Sequence, residues 1–447
     1  MIAISSNQQE RYNSLIGDIW TSNKSWKHLN FLTDELPHRF FGTSGEQQAA
    51  QYIQKQFQEY DLEEINLEPF EVLGWKRGTT SLSLKTSGGI ALEAIALPYC
   101  PQADLEGEIV DLGPGMEEDF TGDLEGKLVL VTTETPDYKG RTIHRGEKYL
   151  RAVEAGAKAF IYQNDMPGNL PSTGALASNE LGAIPGVAIS KETGEKIRRL
   201  MDGKEGLQVH LVVEAQSEAA TSHNVSGLLK ANKTSKEIIL GGHLDGHDIS
   251  PAAEDNASSM ATLLEVARVL STRRELMGTD IRFVAFGSEE VGMLGSKHYS
   301  KSHDLDRIGL MVNMDGIGVA REPKFITCKT PHVGQLANDL ACSLRYSFPV
   351  QEYISPLSDH WSFLSRGVPS CYLHPNSNTS GRGWSHTALD TRDKVQVKNI
   401  KENAMIVAMF LLKLSNCERD FGRPNPEQIK RELEDRGYGK QLEWSGK

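Results

Sequence analysis

The chain has 447 residues, 38% of them hydrophobic and 24% charged; this is too long for one typical domain of about 100–200 residues and excludes collagen-like and disordered classes. Its longest apolar run, Ala404 to Leu412, is nine residues, against the ~20 that a membrane-spanning helix requires. With 48 Lys+Arg against 60 Asp+Glu, the net charge of −12 argues against a phosphate-backbone partner and leaves carboxylates available to serve a cation.

Thr43 and Glu46 have capping-box spacing, and Ala49, Ile53, Phe57 and Tyr60 follow at helical intervals. Together they predict a helix over 44–60. The next stretch, INLEPFEVLGWKRG, reads as extended, with Pro69 placing it at a sheet edge. Between about 105 and 216, short apolar runs (GEIVDLG, KLVLVTT, KAFIYQND, IPGVAIS and LQVHLVV) are separated by Gly/Pro turns and one helical segment, EKYLRAVEAGA. That rhythm predicts a small β-rich α/β module. From about 222 the buried runs EIILGGH, IRFVAFG, LMVNMDG and CYLH alternate with helices near 257–274, 293–303 and 397–414. Apolar strands alternating with helices predict an α/β fold with a mostly parallel central sheet flanked by helices. The apolar stripe Met260, Leu263, Leu264, Ala267 and Leu270 reads as core. The charged tail, 418–447, carries one short helix at 426–436 and is expected to be peripheral. The expected division is therefore 1–104 as the first part of the main domain, 105–216 as an insert, 217–417 as the rest of the main domain, and 418–447 as the tail.

Polar residues cluster just past the ends of the predicted strands, where open α/β sheets bind their ligands. His243-Leu244-Asp245 follow EIILGG, and Asp255-Asn256 open the next helix. Glu289-Glu290 follow IRFVAFGS, Asp315 follows LMVNM, and His386 and Asp390 come in the loop after CYLH. A lone strand-end Asp or His is usually a cap or turn residue; the recurrence along one sheet edge is what points to chemistry. Two imidazoles and several carboxylates suit a pair of divalent ions, zinc before others for a mixed N/O donor set. One carboxylate must lie between two cations so close together, and Asp255 at a helix start suits that place. Glu289 and Glu290 are adjacent and cannot both face the ions in the same way, so one can ligate while the other acts as general base. Asp245, two residues from His243, shares its strand face and can hold the imidazole's second N–H. Asp390 reads equally as a partner of His386 or a helix cap. His247 and Asp248 are taken as loop residues, not ligands, and Ser358 as the cap of a helix beginning at Asp359-His360-Trp361. Arg382 is weighed as a clamp for a substrate carboxylate, with solvated loop arginine the commoner reading.

The segments HLDGHDISPAAEDNASS, FGSEEVGMLGS, NMDGIG, SDHWSFLSRGVPS and HTALDT, in this order over about 222–415, resemble the motifs of the co-catalytic zinc exopeptidases. These comprise the bacterial zinc aminopeptidases and the plasma glutamate carboxypeptidase-like peptidases. The segment 105–216 resembles the protease-associated domain inserted in such enzymes, and PHRFFGTSGEQQAAQYI resembles their N-terminal part. The resemblance implies one zinc held by His243 and Asp315, another held by Glu290 and His386, Asp255 bridging, and Glu289 as the base. It implies that the Asp255–Asn256 peptide bond is often cis. Ser385 stands where some relatives have a tyrosine that helps the oxyanion, which leaves that donor open, with Tyr372, Tyr353 and His360 as candidates.

The expected activity is that of a two-metal exopeptidase acting on small peptides, aminopeptidase or dipeptidase before carboxypeptidase. The alternatives are deacylation of amino-acid conjugates or glutaminyl cyclisation on the same fold, or a non-catalytic homologue. Neither nucleic acid nor membrane is expected as a partner. The insert leaves gating, substrate docking and homodimer formation open. Five cysteines, odd in number and without a CxxC pair, suggest neither a disulfide framework nor a cysteine metal site. With no secretory signal read in the first residues, a cytoplasmic location is expected.

Overall fold

The computed structural model describes residues 6–36, 38–85, 88–202, 206–231, 236–376 and 383–446. Every residue of the strand Glu237–His243 is buried, as a strand covered on both faces must be. Ile238 and Leu240 pack into one apolar cluster and Ile239 into another on the opposite face, which is the two-residue alternation of a strand. The sheet around it runs Glu63–Lys76, Gln216–Leu229, Asp280–Phe286, Glu237–His243, Ile308–Met314, Ser370–Pro375, Pro323–Ile326, Val350–Gln351. Its four middle strands, from Asp280–Phe286 to Ser370–Pro375, are mutually parallel, whereas the two long strands at the Glu63 edge are antiparallel. Pro69 lies on that outermost strand, where a missing N–H is tolerated.

The helix Ser258–Ser271 is buried almost all round, with the stripe from Met260 to Leu270 fully enclosed. It packs with Val397–Ser415 and Ser44–Glu59 on one face of the sheet, while Leu294–Ser302 covers the other through Tyr299. Gly242 permits the close approach of strand ends that follows, because a Cβ there would lie 2.5 Å from the Met314 carbonyl oxygen.

The chain leaves this sheet at Lys76 and returns at Gln216, residues that face each other across the outer ladder. Between them lies a second sheet ordered Ile90–Leu92, Thr80–Leu84, Gln208–Val213, Ala103–Asp111, Leu128–Thr132, Ala159–Gln163, Gly186–Ile189, Ile95–Ala96. Three short strands before residue 105 thus belong to the second sheet by hydrogen bonding, although the sequence reading grouped them with the main domain. Their brevity hides them: Ile95–Ala96 is two residues long, too short to show a period. A seam of Phe40, Phe41, Phe70 and Trp75 from the first part joins Tyr99 and Cys100 of the second in one apolar cluster, which also takes in Val291.

The tail is not peripheral. The helix Pro426–Asp435 buries Ile429 and Leu433, and Gly439–Trp444 buries Leu442, against Ile354, Trp361 and Tyr372. Trp444 lies over Gly146 and donates its indole N–H to the Leu176 carbonyl at 2.7 Å. Two apolar residues four apart on a charged helix were enough for this docking, and the surrounding charges masked them. Among the described residues, no helix is long and apolar enough to cross a membrane. Because Leu433 is fully enclosed, Leu433→Ala is expected to cost about 2–5 kcal/mol in denaturant unfolding; a peripheral tail would lose less than about 0.5 kcal/mol.

Candidate metal centre

The parallel strands end together, and their first loop residues converge. His243 closes the strand Glu237–His243, Asp315 follows Ile308–Met314, Glu289-Glu290 follow Asp280–Phe286, and His386 arrives from the loop after Ser370–Pro375. Asp255 sits between the two imidazoles. Its Oδ1 is 3.2 Å from His243 Nε2 and its Oδ2 is 3.2 Å from His386 Nε2. Asp315 Oδ1 is 3.7 Å from His243 Nε2, and Glu290 Oε2 is 3.3 Å from His386 Nε2. The five residues expected as ligands are therefore brought together as two groups that share Asp255.

Asp255 is held from two sides. Asp390 accepts from the N–H groups of Glu254 and Asp255 at 2.6 and 3.1 Å, so it acts on the turn that carries Asp255. Asn256 donates to the Met314 carbonyl at 3.1 Å and accepts from Gly316 N–H at 2.9 Å, which ties that turn to the strand end bearing Asp315. The Asp255–Asn256 peptide bond is cis.

The turn 288–290 hangs on two buried carboxylates. Glu46 accepts from Ser288 N–H at 3.1 Å, and also from Ser222 Oγ and Gly42 N–H at 2.7 Å each. Thr43 caps its helix, but Glu46 turns inward to the centre and does not bond the Thr43 N–H of a capping box. Asp245 lies 3.5 Å from His243 Nδ1, yet its shorter contacts are with the N–H groups of Glu289 and Glu290, at 3.0 and 3.2 Å. Of the two glutamates Glu290 is buried and Glu289 partly open, the divergence that adjacent side chains in this turn require.

Arg39 locks the loop after His243. Completely buried, it donates through Nε to the Leu244 carbonyl at 3.0 Å, through Nη1 to Leu32 and Pro251, and through Nη2 to Ala252. His247, read from sequence as a loop residue, is packed into the centre with Nε2 2.9 Å from Glu290 Oε2. The insert also reaches in. Thr173 N–H donates to the His386 carbonyl at 2.8 Å, and His386 Nδ1 lies 3.2 Å from the Thr173 carbonyl. Arg145 wraps the same strand of chain, donating to Thr173 and Ala175 carbonyls. Ser358 is not a cap; its hydroxyl takes the Asn313 amide at 2.8 Å, and the helix His360–Leu364 starts from Asp359. Tyr372 brings its hydroxyl 3.4 Å from Asp315 Oδ2 and stacks on His360, whereas Tyr353 packs with the tail helices. Arg382 lies outside the described residues.

The electrostatics call for cations. Burial pushes Glu290 up to about 8, Asp359 and Asp390 up to about 7, and Glu289 well above the usual carboxylate range, against the pull of His243. Burial would also raise Asp255, but His243 and His386 on either side hold it well below that range. Both ring nitrogens of His243 and Glu290 Oε1 are buried without a hydrogen-bond partner. Unpaired buried polar atoms beside crowded acids are costly, and a divalent cation at each of the two groups, His243–Asp255–Asp315 and Glu290–His386 with Asp255 shared, removes that cost. The donor set fits zinc, which takes imidazole and carboxylate ligands.

The profile of peptidase family M28 matches residues 224–411, and that of the PA domain matches residues 101–197. Over residues 224–411 the chain is thus similar to peptidase family M28. Aminopeptidase YwaD of Bacillus subtilis strain 168 is 26% identical over 425 residues, covering 92% of this chain and 87% of that protein. Among solved structures, an aminopeptidase from Aneurinibacillus sp. strain AM-1 superposes with a TM-score of 0.72 at 27% identity, covering 92% of this chain and 98% of that one. BSAP, a zinc aminopeptidase from Bacillus subtilis, does so at 0.70 and 25%, over 90% of this chain and 97% of its own.

The signals for His243, Asp255, Glu289, Glu290, Asp315 and His386 were strand-end position and order. Arg39, Glu46 and Thr173 had no such signal, since each acts from a distant segment through backbone groups. Replacing Arg39 by Leu strands four carbonyls in the interior, at about 1–3 kcal/mol for each unsatisfied group. Arg39→Leu is accordingly expected to lose at least about 3 kcal/mol in denaturant unfolding of the metal-free chain.

Proposed function

We propose that this chain is a two-zinc aminopeptidase that releases residues from the free amino end of small peptides. The observation that carries the reading is Asp255, with one carboxylate oxygen facing each histidine-containing group at 3.2 Å. His243 and Asp315 would hold one ion and Glu290 and His386 the other, with Asp255 shared. When bound, the pair supplies the charge that acidifies a water and polarises the scissile carbonyl.

The chain's own groups do the rest. Glu289 is partly open and its carboxyl is pushed toward holding a proton by burial, which suits a base that takes a proton from water and returns it to the leaving amine. Asp245 fixes the Glu289 and Glu290 N–H groups and so aims the two side chains apart. Tyr372, whose hydroxyl lies 3.4 Å from Asp315 Oδ2, supports an oxyanion role. The acidic lining suits a substrate ammonium. Three arginines close by are engaged: Arg39 with carbonyls, Arg77 with Asp248 at 2.9 Å, and Arg145 with Thr173 and Ala175. That favours recognition of the amine over recognition of a carboxylate. Five unpaired cysteines, three of them buried, support a reducing, cytoplasmic location.

Glu289→Gln is expected to retain two zinc equivalents while kcat falls about 10²–10⁴-fold, and His243→Ala to lose metal as well; metal analysis alongside kinetics reads both. On a panel of peptides with free or blocked ends, acetylating the amine should abolish turnover and amidating the carboxyl should not. Normal hydrolysis by the Gln variant, or turnover that depends on the carboxyl, would sink the respective assignment.

A further inference from the structure

His247 has no place in the ligand set above, yet it is 2% exposed and its Nε2 makes two close contacts, with Glu290 Oε2 at 2.9 Å and His386 Nδ1 at 3.1 Å. The tautomers decide between them. His386 Nδ1 also faces the Thr173 carbonyl at 3.2 Å, and a carbonyl only accepts, so Nδ1 carries the proton and Nε2 keeps the lone pair. His386 cannot then accept from His247, which leaves Glu290 Oε2 as the acceptor for a proton on His247 Nε2. The spacing agrees. Donor atoms sharing a tetrahedral zinc with bonds of roughly 2.0–2.1 Å lie about 3.3 Å apart, as His386 Nε2 does from Glu290 Oε2 and Asp255 Oδ2, at 3.3 and 3.2 Å. The 2.9 Å of His247 to Glu290 is instead a charge-assisted hydrogen-bond length.

We propose that His247 is a positioning residue for one metal only: its Nε2–H holds Glu290 Oε2 in the direction that meets His386 Nε2, and so sets the affinity of that ion separately from the ion at His243. The assignment rests on the two-metal reading. The backbone around His247 is anchored for the task. Arg39 grips the carbonyls of Leu244, Pro251 and Ala252. Next to His247, Asp248 is paired with Arg77, whose Nη2 also reaches Thr173 Oγ1 at 3.2 Å. A residue that sits outside the coordination shell but orients a ligand typically changes metal affinity about 10–100-fold.

The test is a zinc titration of the metal-free full chain against a competing chelator for wild type, His247→Leu and His247→Gln, with thermal unfolding of each metal-free protein alongside. Wild type should bind two equivalents. The Leu variant should weaken one equivalent by about 10–100-fold, leave the other unchanged and unfold with the metal-free wild type. The Gln variant, whose amide offers an N–H at similar reach, should recover most of the loss. Three results overturn the proposal: unchanged affinity in the Leu variant, equal weakening of both equivalents, or loss of one equivalent that Gln does not restore, which would make His247 a direct ligand. A wild-type titration that stops short of two equivalents overturns the two-metal reading itself, and this assignment with it.

Discussion

Arg39 spreads one positive charge over main-chain carbonyls from two segments, Leu32 on its own side and Leu244, Pro251 and Ala252 across the centre. Burial pushes its pKa down to about 10, and the nearby Asp390, Asp245, Asp255 and Glu290 oppose that. The guanidinium thus has two tasks. It closes the loop between the His243 strand and the Asp255 turn, and it offsets part of a field that would otherwise force the acids to take up protons. Lysine could not do the first, since the planar fork is what lets one side chain meet several acceptors in fixed directions.

From that loop outward, the centre is assembled by backbone groups held by side chains from elsewhere. Glu46 and Asp245 take three successive N–H groups at 288–290, Asp390 takes two at 254–255, and Asn256 couples the Asp255 turn to the strand end before Asp315. None of these need touch a substrate. They fix where the reactive carboxylates point, as preorganised sites require. The PA domain takes part on the same terms, because Thr173 pairs with both the backbone and the ring of His386.

The sequence was legible where a residue's task follows from its place on its own element. Strand periodicity located the parallel core, and strand ends located His243, Asp315 and the glutamate pair. What stayed hidden depends on partners far along the chain. Arg39 lies 205 residues from Leu244 and Thr173 213 residues from His386, and no local pattern marks such pairings. His247 is the loop residue that it reads as, but its burial against Glu290 and His386 was hidden for a related reason, because both partners lie far along the chain. The tail was masked by composition, since two enclosed leucines, Leu433 and Leu442, are easily lost among charges.

Trp444 gives the assembly an order in time. Its indole binds the Leu176 carbonyl and its ring covers Gly146, both in the insert, while Lys297 of the main domain bonds the carbonyl of neighbouring Ser445. These residues leave the ribosome after both sheets have been made, and domains fold as units during synthesis. The two sheets can therefore take shape first, with the seam of Phe40, Phe41, Phe70 and Trp75 that they share. The clasp between them is made by residues that follow every strand of both sheets, so it can close only on sheets that already exist.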